Sequence, residues 1–180
     1  MTNCPNPIIY EHLPRKCSTE LKISRIAILD TLVLTLLFLA SILHAEDSNN
    51  LLGNPGFEEG TANWSTYGGS LSLIESPARS GAHAVALNSD TISTIWIYQT
   101  VPIQGGENYT FCGYALKNDP NIERVFLRTS WYQSEDGFGT EISHSDSLAT
   151  LTDNQPQYCL LTTSEVTAPS NARSARVKAM

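Results

Sequence analysis

The chain has 180 residues, room for about one domain, and 41% of them are hydrophobic, so a core can form. Its net charge is -7 and its pI is near 5.0, which argues against nucleic acid and against an anionic membrane surface as partners.

The apolar residues are unevenly spread. Thr31 to Leu43 reads TLVLTLLFLASIL without a charge, after Lys16, Lys22 and Arg25 and before His44, Ala45, Glu46 and Asp47. A basic flank, a short apolar run and a small residue at its end form a secretory signal, with cleavage expected near Ala45. A helix over residues 31–43 reaches about 20 Å, short of the roughly 30 Å of a bilayer core. The alternative is an uncleaved anchor extended back to Ile26, which takes in Asp30 at a cost in lipid. Residues 1–45 are therefore read as a signal peptide or membrane anchor, 46–49 as a linker and 50–180 as the folded module, secreted or at the cell surface.

From Leu51 the texture changes to short runs separated by turn residues, as in an all-β domain. Leu71 to Glu75 is a short, half-apolar run. His83 to Leu87 alternates His83, Val85 and Leu87 against Ala84 and Ala86. Thr94 to Val101 alternates Ile95, Ile97, Gln99 and Val101 against Trp96, Tyr98 and Thr100, and Pro102 with Gly105-Gly106 ends it. Tyr109 to Leu116 follows, closed by Asn118-Asp119-Pro120. Val125 to Tyr132 alternates Val125, Leu127, Thr129 and Trp131 against Phe126, Arg128, Ser130 and Tyr132, and Asp136-Gly137 is a hairpin signal. Tyr158 to Thr163 and Ala175 to Ala179 complete the set. Side chains alternate faces along a strand, so each run covers a core on one side. Many short strands with Gly and Pro turns imply a sandwich or jelly roll.

Cys112 and Cys159 lie in two of these runs. An oxidising compartment makes a disulfide between them one reading, and two buried thiols the other. If Ile95, Ile97 and Val101 face the core, Trp96 and Tyr98 point out of the sheet, and Arg128 and Tyr132 project together by the same alternation. Aromatic planes stack on the C–H face of a sugar ring at low entropic cost, while polar side chains meet its hydroxyls. These four are the candidate carbohydrate-binding residues, with a polysaccharide or other glycan as partner. The competing reading has them covered by a loop, a missing strand or a neighbouring domain. Gln99, among inward residues, is expected to brace loop backbone.

Catalysis has little support. Ser143-His144-Ser145-Asp146 contains triad residue types, but adjacent strand or loop residues point apart. There is no GxSxG, no HExxH and no phosphate-binding glycine loop. Asn63-Trp64-Ser65 and Asn108-Tyr109-Thr110 fit the glycan acceptor pattern.

An ordered set of features resembles the carbohydrate-binding modules of the family 4/9/22 type. It opens with Asn50-Leu51-Leu52-Gly53-Asn54-Pro55-Gly56-Phe57-Glu58 and Trp64. Ser80-Gly81, then Tyr98-Gln99-Thr100-Val101 with Gly106 and Tyr109, follow. Trp131-Tyr132 before Asp136-Gly137, and Ala168-Pro169 before Ala175-Arg176-Val177, complete it. The resemblance implies a galactose-binding-like jelly-roll β-sandwich without catalytic activity. It also implies a structural calcium ion held in part by the Glu58 carboxylate and the Gly81 carbonyl, and Trp64 in the core. In such modules a last strand follows the Ala-Arg-Val run. The module is therefore expected to lack its final strand, to be preceded by an apolar signal helix and to be tethered to further domains. The alternatives are a structural or adhesion domain without sugar, or the accessory module of a glycoside hydrolase.

Overall fold

A computed structural model describes residues 50–180, and residues 8–11 as backbone. The expected signal segment and linker otherwise lie outside the described residues. The described residues form twelve strands: β1 (Ile8–Glu11), β2 (Ser65–Tyr67), β3 (Ser70–Ile74), β4 (Ala84–Asn88), β5 (Trp96–Pro102), β6 (Asn108–Tyr109), β7 (Cys112–Leu116), β8 (Leu127–Tyr132), β9 (Glu141–Asp146), β10 (Cys159–Thr162), β11 (Val166–Thr167) and β12 (Ser174–Ala179). One sheet runs β10-β7-β1-β4-β3, a second β2-β5-β12-β8-β9, and β11 pairs with β6. Every pairing is antiparallel.

The main core lies between the two large sheets. Val85 and Leu87 of β4, Ala115 of β7 and Leu161 of β10 meet Ile97 of β5, Leu127 of β8 and Val177 and Ala179 of β12. Phe57 and Trp64, from the loop before β2, pack into the same cluster with ring centroids 5.2 Å apart. Trp64 takes the core position implied by the resemblance, and its indole N–H donates to the Asn54 carbonyl at 3.0 Å. Trp131 is also buried, in a second cluster with Val101, Ala168, Ala172 and Ala175.

Two expected runs are realised with differences. Tyr109 to Leu116 is broken into β6 and β7, because Phe111 turns into the core. β9 was not expected. Its sequence EISHSD is mostly polar, as befits an edge strand with both faces largely open.

The first sheet draws one strand from the N-terminal segment read above as signal peptide or membrane anchor. Its central position, between β4 and β7, is held by β1. Ile8, Ile9 and Tyr10 pair with Leu87, Ala86 and Val85, and Ile9, Tyr10 and Glu11 with Leu116, Ala115 and Tyr114. Two β-branched residues and a tyrosine favour an extended backbone. The facing edges of β4 and β7 supply the main-chain partners that buried strands require.

Cys112 and Cys159 are not joined to each other, against the disulfide reading. In the β7–β10 ladder Cys112 pairs with Thr162 and Cys159 with Ala115, so the two stand three residues apart along the pair. That is about 10 Å of rise, beyond the roughly 7 Å between Cα atoms that a disulfide tolerates.

Candidate functional site

The outward face of the second sheet gathers the chemically distinctive side chains. Along β5 burial alternates, with Ile97, Gln99 and Val101 inward and Trp96, Tyr98 and Thr100 outward. Ladder register then decides what stands beside them. Tyr67 is opposite Trp96, Lys178 opposite Tyr98, and Arg176 opposite Thr100. On the far side of β12, Arg176 faces Ser130 and Lys178 faces Arg128. On β9, Asp146, His144 and Glu141 stand opposite Arg128, Ser130 and Tyr132. Directly opposed residues share a face, so all of these lie on one side of the sheet. Trp96, Tyr98, Arg128 and Tyr132, picked out from sequence, are all among them.

Aromatic and cationic groups interleave across this face. Tyr67 and Trp96 are stacked, with centroids 4.0 Å apart and planes 12° from parallel. The Arg176 guanidinium lies 4.7 Å from the Tyr98 ring centroid and 5.3 Å from that of Tyr132. It is oriented by donating to Thr100 Oγ1 at 3.2 Å and to the Gly137 carbonyl at 3.1 Å. The Lys178 ammonium sits 5.8 Å from the Trp96 ring, donates to Ser130 Oγ at 2.8 Å and pairs with Glu141 Oε2 at 3.4 Å. Glu141 Oε1 is 2.7 Å from His144 Nδ1. Arg128 grips Asp146 with both prongs, at 2.6 and 2.8 Å.

Exposure separates these residues. Tyr67 is 59% exposed, Trp96 and Tyr98 are half-buried, and Tyr132 is only 6% exposed. Tyr132 therefore serves as a floor under Arg176 more than as an open platform. Arg128 is half-buried and committed to Asp146. The open aromatic area is thus Tyr67 with Trp96 and Tyr98. Tyr67, Arg176, Lys178 and Glu141 were not picked out from sequence. The alternation of β12 around Ala175, Val177 and Ala179 was the signal that would have placed Arg176 and Lys178 outward.

The charges on this face are tuned by burial and by one another. Burial pushes the Lys178 ammonium below the ordinary lysine value, although Glu141 pulls it back up. Burial pushes Glu141 up, but Ser130, His144 and Lys178 outweigh it and hold the carboxyl below the usual range. Hydrogen bonding to Arg128 holds Asp146 low against burial. Burial raises the Tyr132 phenol.

Nucleophilic chemistry finds no footing among these groups. Ser130 touches Lys178, but it is wholly buried. On β9, the alternation turns His144 and Asp146 to one face and Ser143 and Ser145 to the other, and His144 meets Glu141 instead.

The two residues implied for calcium do come together. A Cβ at Gly81, where φ is +68°, would collide with the Glu58 carboxylate. Around that carboxylate, however, stand donors. The Ala82 N–H reaches both oxygens at 3.1 and 3.2 Å, the His83 N–H reaches Oε1 at 3.3 Å, and His83 Nδ1 lies 3.4 Å from Oε2. Burial acts against ionisation of Glu58, but these contacts outweigh it and hold the carboxyl low. A hard cation requires several oxygens, and no group of three or more acidic, His or Cys side chains is gathered for a metal among the described residues. Gln99 makes the expected brace: it accepts from the Gly53 N–H at 2.7 Å and donates to the Gly53 carbonyl at 2.9 Å.

No protein-family model matches the chain, and no curated protein matches it. Solved structures do share its fold. A xylan-binding domain from carbohydrate-binding module family 22 is 18% identical with a TM-score of 0.52, over 68% of this chain and 79% of that one. The C-terminal family 22 module of a Clostridium thermocellum xylanase gives 18% identity and a TM-score of 0.52, over 68% and 78% of the two chains. The N-terminal family 22 and catalytic modules of a Clostridium thermocellum endo-1,4-beta-D-xylanase, complexed with xylohexaose, give 17% and 0.51, over 66% of this chain and 23% of that one. At these identities the likeness is one of fold. The chain is an all-β sandwich that shares its fold with those family 22 modules.

Proposed function

We propose that this chain is a non-catalytic, extracellular polysaccharide-binding module and that the outward face of the β2-β5-β12-β8-β9 sheet holds the glycan. The observation that carries the reading is the open aromatic cluster of Tyr67, Trp96 and Tyr98, flanked by Arg176 and Lys178 on a face opposite the core. Stacking on Trp96 and Tyr98 would remove the apolar C–H face of a sugar from water. Arg176, held in place by Thr100 and Gly137, would donate to ring hydroxyls without further loss of side-chain freedom. Xylan is the first ligand to test, because solved modules of this fold bind it or are complexed with a xylo-oligosaccharide. Attached to an enzyme, such a module raises the effective concentration of substrate.

A structural or adhesion domain is the second reading. It is favoured by one observation: Arg128, Lys178 and Glu141 already satisfy one another or their strand neighbours. Affinity electrophoresis of the full chain through gels of soluble xylans, β-glucans and mannans separates the two. Retardation by one polysaccharide is expected. Unretarded migration in all of them by folded protein would leave the structural reading.

A further inference from the structure

The first sheet is completed in its middle by a segment that is remote in the chain. β4 has β3 on one side and β7 has β10 on the other, and the two are bridged only by β1. Without β1 the sheet falls into two ribbons, β3-β4 and β7-β10. Their facing edges would then present unpaired N–H and C=O groups beside the core residues Val85, Leu87 and Ala115. β4 and β7 are almost wholly buried strands, so that opening is costly. β1 itself is no hairpin neighbour of either. Residues 12–50 separate it in sequence from the rest of the sandwich. Among the described residues, what holds β1 in place is its two ladders.

We propose that the gap between β4 and β7 is a strand-acceptor site for an extended peptide, and that residues 8–11 are its separable occupant. The ligand is recognised through its main chain, antiparallel to both neighbours. A central strand spends every N–H on one ladder or the other, so the peptide can contain no proline across the paired positions. Scission of the chain between β1 and Leu51 leaves the strand bound without a covalent tie. The site lies on the sheet opposite the candidate glycan face and does not depend on sugar binding.

The test uses the full chain carrying a specific protease site after Pro14, folded, and then cut under native conditions. Residues 1–14 are expected to co-elute with the remainder on size exclusion. An excess of fluorescent peptide spanning residues 5–14 is expected to exchange into the cut protein saturably. The same peptide with Ile9→Pro should bind about tenfold more weakly or worse, having lost one ladder bond and its geometry. In the uncut chain, Ile9→Pro should lower the melting midpoint, and the parent peptide added in trans should restore it. If that variant does not fold, the cut protein still decides the matter. The proposal is overturned if the cut fragment elutes free while the remainder melts as before, or if the two peptides bind alike. It is also overturned if the uncut chain is a dimer in which residues 8–11 crosslink to β4 of a second copy.

Discussion

Replacing Trp96 by alanine removes the ring at the centre of the proposed glycan face. Two magnitudes follow. Trp96 stacks on Tyr67 at 4.0 Å, and such a pair contributes roughly 0.5–1.5 kcal/mol beyond its buried area. The ring is half-buried and outside the core clusters, so the fold should lose only about 1–2 kcal/mol, which is a fall of a few degrees in melting midpoint. A tryptophan anchor in a binding site costs about 2 kcal/mol or more when truncated, and 2 kcal/mol is about 30-fold in Kd. Isothermal titration with xylohexaose should therefore show binding weakened at least about 30-fold in a protein that still melts cooperatively. Leu160→Ala, on β10 of the opposite sheet and 46% exposed, is the control and should leave Kd unchanged. A folded Trp96→Ala protein that binds like the parent would refute the reasoning, because the face would then not be the site.

Three other outcomes follow from the geometry. Gln99→Leu strips partners from the Gly53 N–H and carbonyl; stability should fall by roughly 2–4 kcal/mol, seen as a lower urea midpoint at unchanged slope. Glu141 has a folded pKa below its unfolded one, so its contribution is present above the unfolded value and is lost as pH falls through the folded one. Thermal melts of the parent from pH 7 to pH 3 should fall more steeply than those of Glu141→Gln, and parallel curves would contradict this. Gly81→Ala should destabilise through its positive φ and its clash with Glu58. Adding Glu58→Ala should then cost less than it does alone, as a double-mutant cycle of melting measurements would read out.

The β5 face was legible in the sequence because strand alternation is a local property. Ile97 and Val101 inward force Trp96 and Tyr98 outward, and Gln99 inward forces a backbone partner. What stands beside a residue depends on register, which joins distant segments and leaves no mark in a single run. Tyr67 on Trp96 and Arg176 over Tyr132 are of that kind. Alternation puts Tyr132 on the right face but says nothing of its burial. β9 carries no apolar alternation in its sequence, because an edge strand needs few apolar residues. The disulfide reading of Cys112 and Cys159 failed for the same cause: both sit in paired strands, but the ladder offset holds them apart. The strand between β4 and β7 is encoded far away, at Ile8 to Glu11, where no neighbouring run announces it.

The most direct test of the glycan face is hydroxyl-radical footprinting of the full chain with and without saturating xylohexaose. The account expects Tyr67, Trp96 and Tyr98 to lose reactivity together while the exposed Leu160 on β10 keeps its own. Saturated binding that leaves those three rings as reactive as before, or that protects residues of the opposite sheet instead, would contradict it.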